Sequence, residues 1–187
     1  MADAPMGGAV EHFIEDAGSG EQPLLQMLPE LGTLLLGQIA RLGDVEFQED
    51  VMELVEPGSP WELAALTFAS SVEGDYVLVG FVIYGLDSGS MCLRHIAVEQ
   101  PHRKKGYARR LLEHVVSRCL QLRVRNFEVF APRELVQFYR KLGFREVELD
   151  DDGADSEDDL MVPMSRLVDG RATSCPPITE ESDQMCG

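Results

Sequence analysis

The segment Val98-Glu99-Gln100-Pro101-His102-Arg103-Lys104-Lys105-Gly106-Tyr107-Ala108-Arg109-Arg110-Leu111-Leu112 joins an apolar strand to an amphipathic helix through a short basic loop. The strand side runs from Cys92 to Val98, and the helix opens at a glycine. Such a junction leaves several backbone N–H groups unpaired and converging on one spot, and the first helical turn carries partial positive charge. A phosphate or pyrophosphate fits there. Gly106 has no side chain to keep a ligand off the backbone, and Ala108 obstructs little. Arg103, Lys104 and Lys105 add charge around the same point. No Gly-Lys-Ser/Thr follows the loop, so this is not a P-loop.

Further on, Phe127-Glu128-Val129-Phe130-Ala131 alternates as a strand does. Glu134-Leu135-Val136-Gln137-Phe138-Tyr139-Arg140-Lys141-Leu142-Gly143-Phe144 follows, helical in period and closed by glycine. The first segment reads Val, four residues, Arg, two residues, Gly, one residue, Ala. It resembles the acyl-CoA motif of the GNAT superfamily of N-acetyltransferases. The second resembles that family's strand followed by a helix with Phe-Tyr, three residues, Gly-Phe. Both stand in the family's order and spacing, and the likeness spans roughly residues 60 to 165. It implies an α+β GNAT fold: a mixed central sheet with an antiparallel meander, splayed strands and flanking helices. It also implies transfer of an acetyl group from acetyl-CoA to a primary amine, directly within a ternary complex and with no metal.

The 187 residues suit one domain with a tail at each end, and 44% apolar residues can build a core at this size. We expect an acidic tail over 1–22, the GNAT domain over 23–166 and a disordered C-terminal tail over 167–187. No stretch approaches the roughly twenty apolar residues that span a bilayer. The start, Met1-Ala2-Asp3-Ala4-Pro5, lacks the basic and apolar regions of a secretory signal. Cys92, Cys119, Cys175 and Cys186 show no C-x-x-C spacing, so free thiols in a reducing compartment are expected. The expected location is cytoplasmic, with the nucleus compatible. A monomer and a homodimer both accommodate the pattern.

The net charge of −17 is unevenly spread. Residues 1–60 carry 12 acids and one base, residues 93–145 carry 13 bases and 4 acids, and residues 146–187 carry 13 acids and 2 bases. The basic part coincides with the phosphate cradle. A chain this acidic overall is not expected to bind nucleic acid. The acidic parts either attract a cationic substrate or only keep the protein soluble.

Pro23 to Arg41 suits a helix broken at Pro29. Trp61–Ala69, Tyr76–Tyr84 and Met91–Val98 read as a meander of strands, with turns at 73–75 and 87–90. A helix is expected over 106–121, burying Leu111, Leu112, Val115, Val116, Cys119 and Leu120. After the strand 126–131, Pro132 begins a helix presenting Leu135, Val136, Phe138, Tyr139 and Leu142. Phe144–Leu149 and Leu160–Met164 should pair as strands around an acidic loop, 150–159, with seven carboxylates.

The resemblance assigns roles. The backbone of Ile96, Ala97 and Val98 would line the pantetheine arm, a backbone N–H near Val98 would hold the thioester oxygen, and Arg103, Lys104, Lys105, Gly106, Tyr107, Ala108 and Arg109 would bind the pyrophosphate. Tyr139 matches the family's general acid; as a residue alone it reads as a core tyrosine on an amphipathic helix. Glu128 matches a position where some members carry the base, and apolar neighbours are expected to desolvate it. Read alone, it is equally a solvated edge residue. His95 is a further candidate base because imidazole titrates near neutrality, but the resemblance sets Cys92 and Arg94 on the active face and His95 on the opposite one. Where many members carry Asn near Pro132, this chain has Ala131-Pro132-Arg133, which weakens the carry-over of peptide-acceptor specificity. Two other readings stay open: a CoA-binding interaction module that does not turn over, and a doubly wound nucleotide-binding sheet. The antiparallel meander opposes the last.

Overall fold

The computed structural model describes residues 23–28, 31–69, 76–147 and 161–169. Among the described residues, seven strands form one sheet in the order β1-β2-β3-β4-β5-β7-β6. They are β1 (Leu24–Met27), β2 (Trp61–Ala69), β3 (Tyr76–Asp87), β4 (Ser90–Val98), β5 (Asn126–Pro132), β6 (Arg145–Glu146) and β7 (Met161–Leu167). All neighbours are antiparallel except β4 and β5. Among the described residues, the α-helices α1 (Thr33–Phe47), α2 (Tyr107–Leu122) and α3 (Val136–Lys141) flank the sheet. This is the expected mixed α+β architecture.

The sheet separates two cores. On one face α1 places Leu35, Ile39 and Leu42, spaced at i, i+4 and i+7, against Leu63, Ala65, Phe81 and Ile83. On the other, Leu111, Leu112, Val115 and Cys119 of α2 and Val136 and Tyr139 of α3 pack on Val82, Tyr84, Phe127 and Val129. Neighbouring residues of a strand serve opposite cores, as the twofold strand period requires.

Several local expectations change. The run 23–41 is not one helix: β1 pairs antiparallel with β2, and α1 begins only at Thr33. A short apolar run fits strand and helix alike, and the open backbone edge of β2 decides for the strand. Pro132 ends β5 rather than opening a helix. Its extended backbone pairs opposite Met161, and a 3-10 turn at Arg133–Leu135 precedes α3. A proline is tolerated at a strand end because no ladder amide is needed there. Leu120 and Leu135 are exposed, one step off the apolar stripes of their helices. The strand after Phe144 is described only as Arg145–Glu146, while β7 runs on to Leu167. The turn at 73–75 and the acidic loop 150–159 lie outside the described residues.

Gly80 of β3 faces Val98 where β4 ends. A Cβ there would lie 2.5 Å from the Ala97 carbonyl oxygen and 3.0 Å from Val98 Cα. Both are backbone atoms, so the strands themselves must move. Gly80→Ala is expected to cost about 1–3 kcal/mol, read as a lower urea midpoint. It should also weaken any ligand held at the end of β4.

Candidate active site

The loop after β4 carries the chain into α2 through left-handed residues. Lys104 and Gly106 both take left-handed backbone angles, φ 61° and 80°. Gly106 sits at the N-cap of α2 and provides no side-chain cap, and no acidic residue lies in the first turn. The helical ladder begins with the Arg110 amide on the Gly106 carbonyl, 3.1 Å. The amides of Tyr107 and Ala108 precede it. A Cβ built on Gly106 meets nothing within 4 Å, so the space before the uncapped turn is open. Lys104 and Lys105 are exposed beside it. These residues fit a pyrophosphate: an anion there would satisfy backbone donors and face positive charge.

The two arginines of the stretch are placed differently. The Arg103 guanidinium donates through Nε to the Val98 carbonyl, 3.0 Å, and through Nη2 to Glu46 of α1. It therefore clamps the loop to the end of β4 and to α1. Arg109 is held by Glu113 one turn along α2, 2.9 Å. Tyr107 lies edge-on to Phe68, and Ala108 packs on the α2-side core. Their contribution to the cradle is backbone, not side chain.

Above the cradle the sheet opens. β4 and β5 pair only through Met91–Phe127, Cys92–Glu128 and Leu93–Val129. Beyond that, β4 stays with β3 and β5 with β7. Arg94 to Val98 thus have a strand on one side and an opening on the other, as the motif implied. Ile96 packs toward the α2 core, and Ala97 toward the α1 core. The opening begins at a bulge. Ile83 pairs with His95 while the adjacent Tyr84 pairs with Leu93, which leaves Arg94 as the extra residue.

That bulge corrects the expected facing of His95. Strict alternation would turn it away from Arg94. The inserted residue breaks the period, and both side chains reach Glu49, in the loop after α1. His95 Nε2 lies 3.0 Å from Glu49 Oε2, and Arg94 Nη2 lies 3.5 Å from Oε1. The His95 ring rests on Phe47 with centroids 4.2 Å apart.

Glu128 is half-buried and accepts a 2.6 Å hydrogen bond from the Ser90 hydroxyl. Phe127 and Val129 point into the other core, and Phe130, on the face of Glu128, is 62% exposed. The apolar neighbours in sequence therefore do not enclose the carboxylate as expected. Cys92 sits beside Glu128 in register, and burial, Glu128 and Asp87 push its thiol up. Burial pushes the Cys119 thiol up to about 11. Both are free, and both hold their protons at neutral pH. Tyr139 is 3% exposed, its ring edge-on to Phe138 and Phe144. Its hydroxyl has no hydrogen-bond partner among the described residues, and burial pushes its pKa up to about 12. Ser90, Glu46 and Glu49 escaped the sequence reading because their partners lie 38 to 57 residues away.

His95, His102 and His114 are all held below the ordinary imidazole value, in each case first by burial. Arg94, Lys105 and Arg118 respectively add repulsion, while Glu49, Glu99 and Glu62 oppose it. Below about pH 6.5 the unfolded chain therefore binds more protons than the folded one. This stabilisation is complete above that pH and is lost as pH falls through the lowered folded values. The urea midpoint should be level from pH 8 to 7 and decline below about pH 6.5. His114→Gln, which keeps a donor toward the Tyr84 hydroxyl 3.0 Å away, should flatten the decline.

Comparison with known proteins agrees with this geometry. The acetyltransferase (GNAT) domain family matches residues 70–146. No curated protein sequence matches the chain. Among solved structures, an aminoglycoside 6'-N-acetyltransferase complexed with coenzyme A superposes with a TM-score of 0.62 at 15% identity, over 79% of this chain and 98% of that one. The ribosomal-protein-S18-alanine N-acetyltransferase from Escherichia coli gives 0.58 at 16%, over 81% and 97%. A GNAT-family acetyltransferase from Staphylococcus aureus gives 0.56 at 15%, over 78% and 100%. At these identities the likeness is one of fold. The cradle and the splayed strands lie within the segment that the family model matches, and the chain has the GNAT acetyltransferase fold.

Proposed function

We propose that this protein is an N-acetyltransferase that uses acetyl-CoA and acts on a primary amine. The observation that carries the reading is the opening between β4 and β5 directly beyond the uncapped, glycine-started α2. Acetyl-CoA, when bound, supplies an activated acyl group on a thiol leaving group. The loop 103–109 and the first amides of α2 hold its pyrophosphate. The open edge of β4 from Ile96 to Val98 offers backbone groups to an extended ligand arm.

Glu128 is our candidate for taking a proton from the amine, directly or through water, with Ser90 fixing its orientation. Tyr139 is our candidate proton donor. Its pKa of about 12 exceeds that of a thiol by about 3.5 units, so complete transfer to a thiolate is uphill. The phenol instead donates a hydrogen bond as charge develops on the leaving sulfur.

The acceptor reading rests on charge. Residues 44–56 and 147–159 carry a dense set of carboxylates, which favours a cationic amine such as a polyamine or a basic protein segment. Replacing the seven carboxylates of 150–159 by amides should raise acceptor KM severalfold and leave kcat within about twofold. An unchanged KM dismisses the cationic acceptor. The function itself is tested by calorimetric titration with acetyl-CoA and a screen of amines for thiol release. Tight binding with no turnover would make the chain a CoA-binding module instead.

A further inference from the structure

We propose that His95, held by Glu49, is a proton acceptor for the amine substrate, distinct from Glu128 and created by the β4 bulge. The inference rests on the acetyltransferase reading above. Three observations carry it. The bulge at Arg94 turns His95 onto the face toward α1, the face of Ser90 and Glu128, at the point where β4 and β5 part. A carboxylate accepts only, so Glu49 fixes the neutral imidazole with its proton on Nε2. Nδ1 then carries the lone pair, and it has no hydrogen-bond partner among the described residues. Phe47 covers one ring face and leaves the side chain 12% exposed, so the ring is held in position and partly dry. A carboxylate holding an imidazole whose other nitrogen is unbonded is the orienting pair that general-base catalysis uses.

The charged groups facing the ring are Glu49, from the loop after α1, and Arg94, on its own strand. Phe47 from α1 is apolar, as is Ile83, its partner on β3. Burial and Arg94 keep the imidazole neutral near pH 7, while Glu49 stabilises the imidazolium that forms on accepting a proton. The balance is complete without a further reactant. One proton passes from the ammonium nitrogen to Nδ1 and on to solvent. The freed lone pair forms the nitrogen–carbon bond, the carbon–sulfur bond breaks, and the second amine proton ends on the sulfur.

The test combines NMR titration of the His95 ring with pH–rate profiles for the parent, His95→Gln, Glu49→Gln and Glu128→Gln. Calorimetric acetyl-CoA binding and urea midpoints confirm that each variant is folded and loaded. We expect the acidic limb of kcat/KM to coincide with the His95 ring titration, below the ordinary imidazole value. His95→Gln should remove that limb and lower kcat about 10²-fold with CoA affinity unchanged. Glu49→Gln should shift both the ring titration and the limb to lower pH together, because a stabilising negative charge is lost. A purely structural His95 would move the urea midpoint and leave the limb in place. An active parent whose limb survives His95→Gln, or follows Glu128→Gln alone, overturns this inference and leaves the acetyltransferase reading standing. A parent that binds acetyl-CoA and acetylates no amine overturns both.

Discussion

Gly106→Glu is expected to abolish acetyl-CoA binding while the fold persists. The substitution acts in two ways that can be separated. Gly106 holds φ at 80°, so any L-residue there costs about 1–2 kcal/mol in backbone strain. The carboxylate also enters the open space before the uncapped α2, where the pyrophosphate belongs, and satisfies the same amides. Gly106→Gln has nearly the same shape and strain without the charge. If the cradle binds pyrophosphate, Gln should weaken Kd about tenfold and Glu by more than about 10³-fold, because repulsion is added to occlusion. Thermal shift and calorimetry read stability and affinity in the same samples. Equal losses for Glu and Gln would mean that strain, not charge, is responsible, and the anion site would have to be sought elsewhere. Retained binding by the folded Glu variant would remove the cradle from the site.

Tyr139→Phe is expected to lower kcat about 10²-fold at every pH from 6 to 9, with acetyl-CoA affinity unchanged. The ring is embedded between Phe138 and Phe144, and phenylalanine preserves that packing. The hydroxyl has no partner among the described residues, so its removal leaves no group there unsatisfied. Stability should stay within about 0.5 kcal/mol of the parent. With its pKa at about 12, the phenol is protonated throughout this range. The loss should therefore be a uniform drop rather than a displaced limb. A tyrosine that serves only the core would leave kcat untouched, and that result would strip Tyr139 of its catalytic role.

The fold was legible from the sequence wherever one local rule governed it. The β4–loop–α2 junction needs a glycine with left-handed angles, and Gly106 provides it at the expected position. The alternation of β5 and the stripe of α2 place Phe127, Val129, Leu111 and Val115 in the core as their spacing predicts, whereas a bulge at Val79 sends it and Phe81 of β3 to opposite cores. The amino-terminal run was not legible in this way. Leu24 to Met27 satisfies a helical pattern and a strand equally, and only the edge of β2 selects the strand.

Around the proposed site, the sequence by itself placed the glycine-started helix after β4 and put Glu128 on a strand and Tyr139 on a helix, because each belongs to a continuous motif with its own spacing. Tertiary structure alone decided what surrounds them. Arg103 reads as a phosphate ligand in sequence, yet Glu46 draws its side chain to α1. His95 reads as facing away from Arg94, yet one inserted residue carries it to Glu49 on the α1 face. Glu128 reads as wrapped by its neighbours, yet its partner is Ser90, across the parallel pairing. The division has one physical cause. Periodicity and turn chemistry are properties of neighbouring residues. An ion pair between distant segments, or a bulge that reverses facing, exists only once the strands and helices have been brought together.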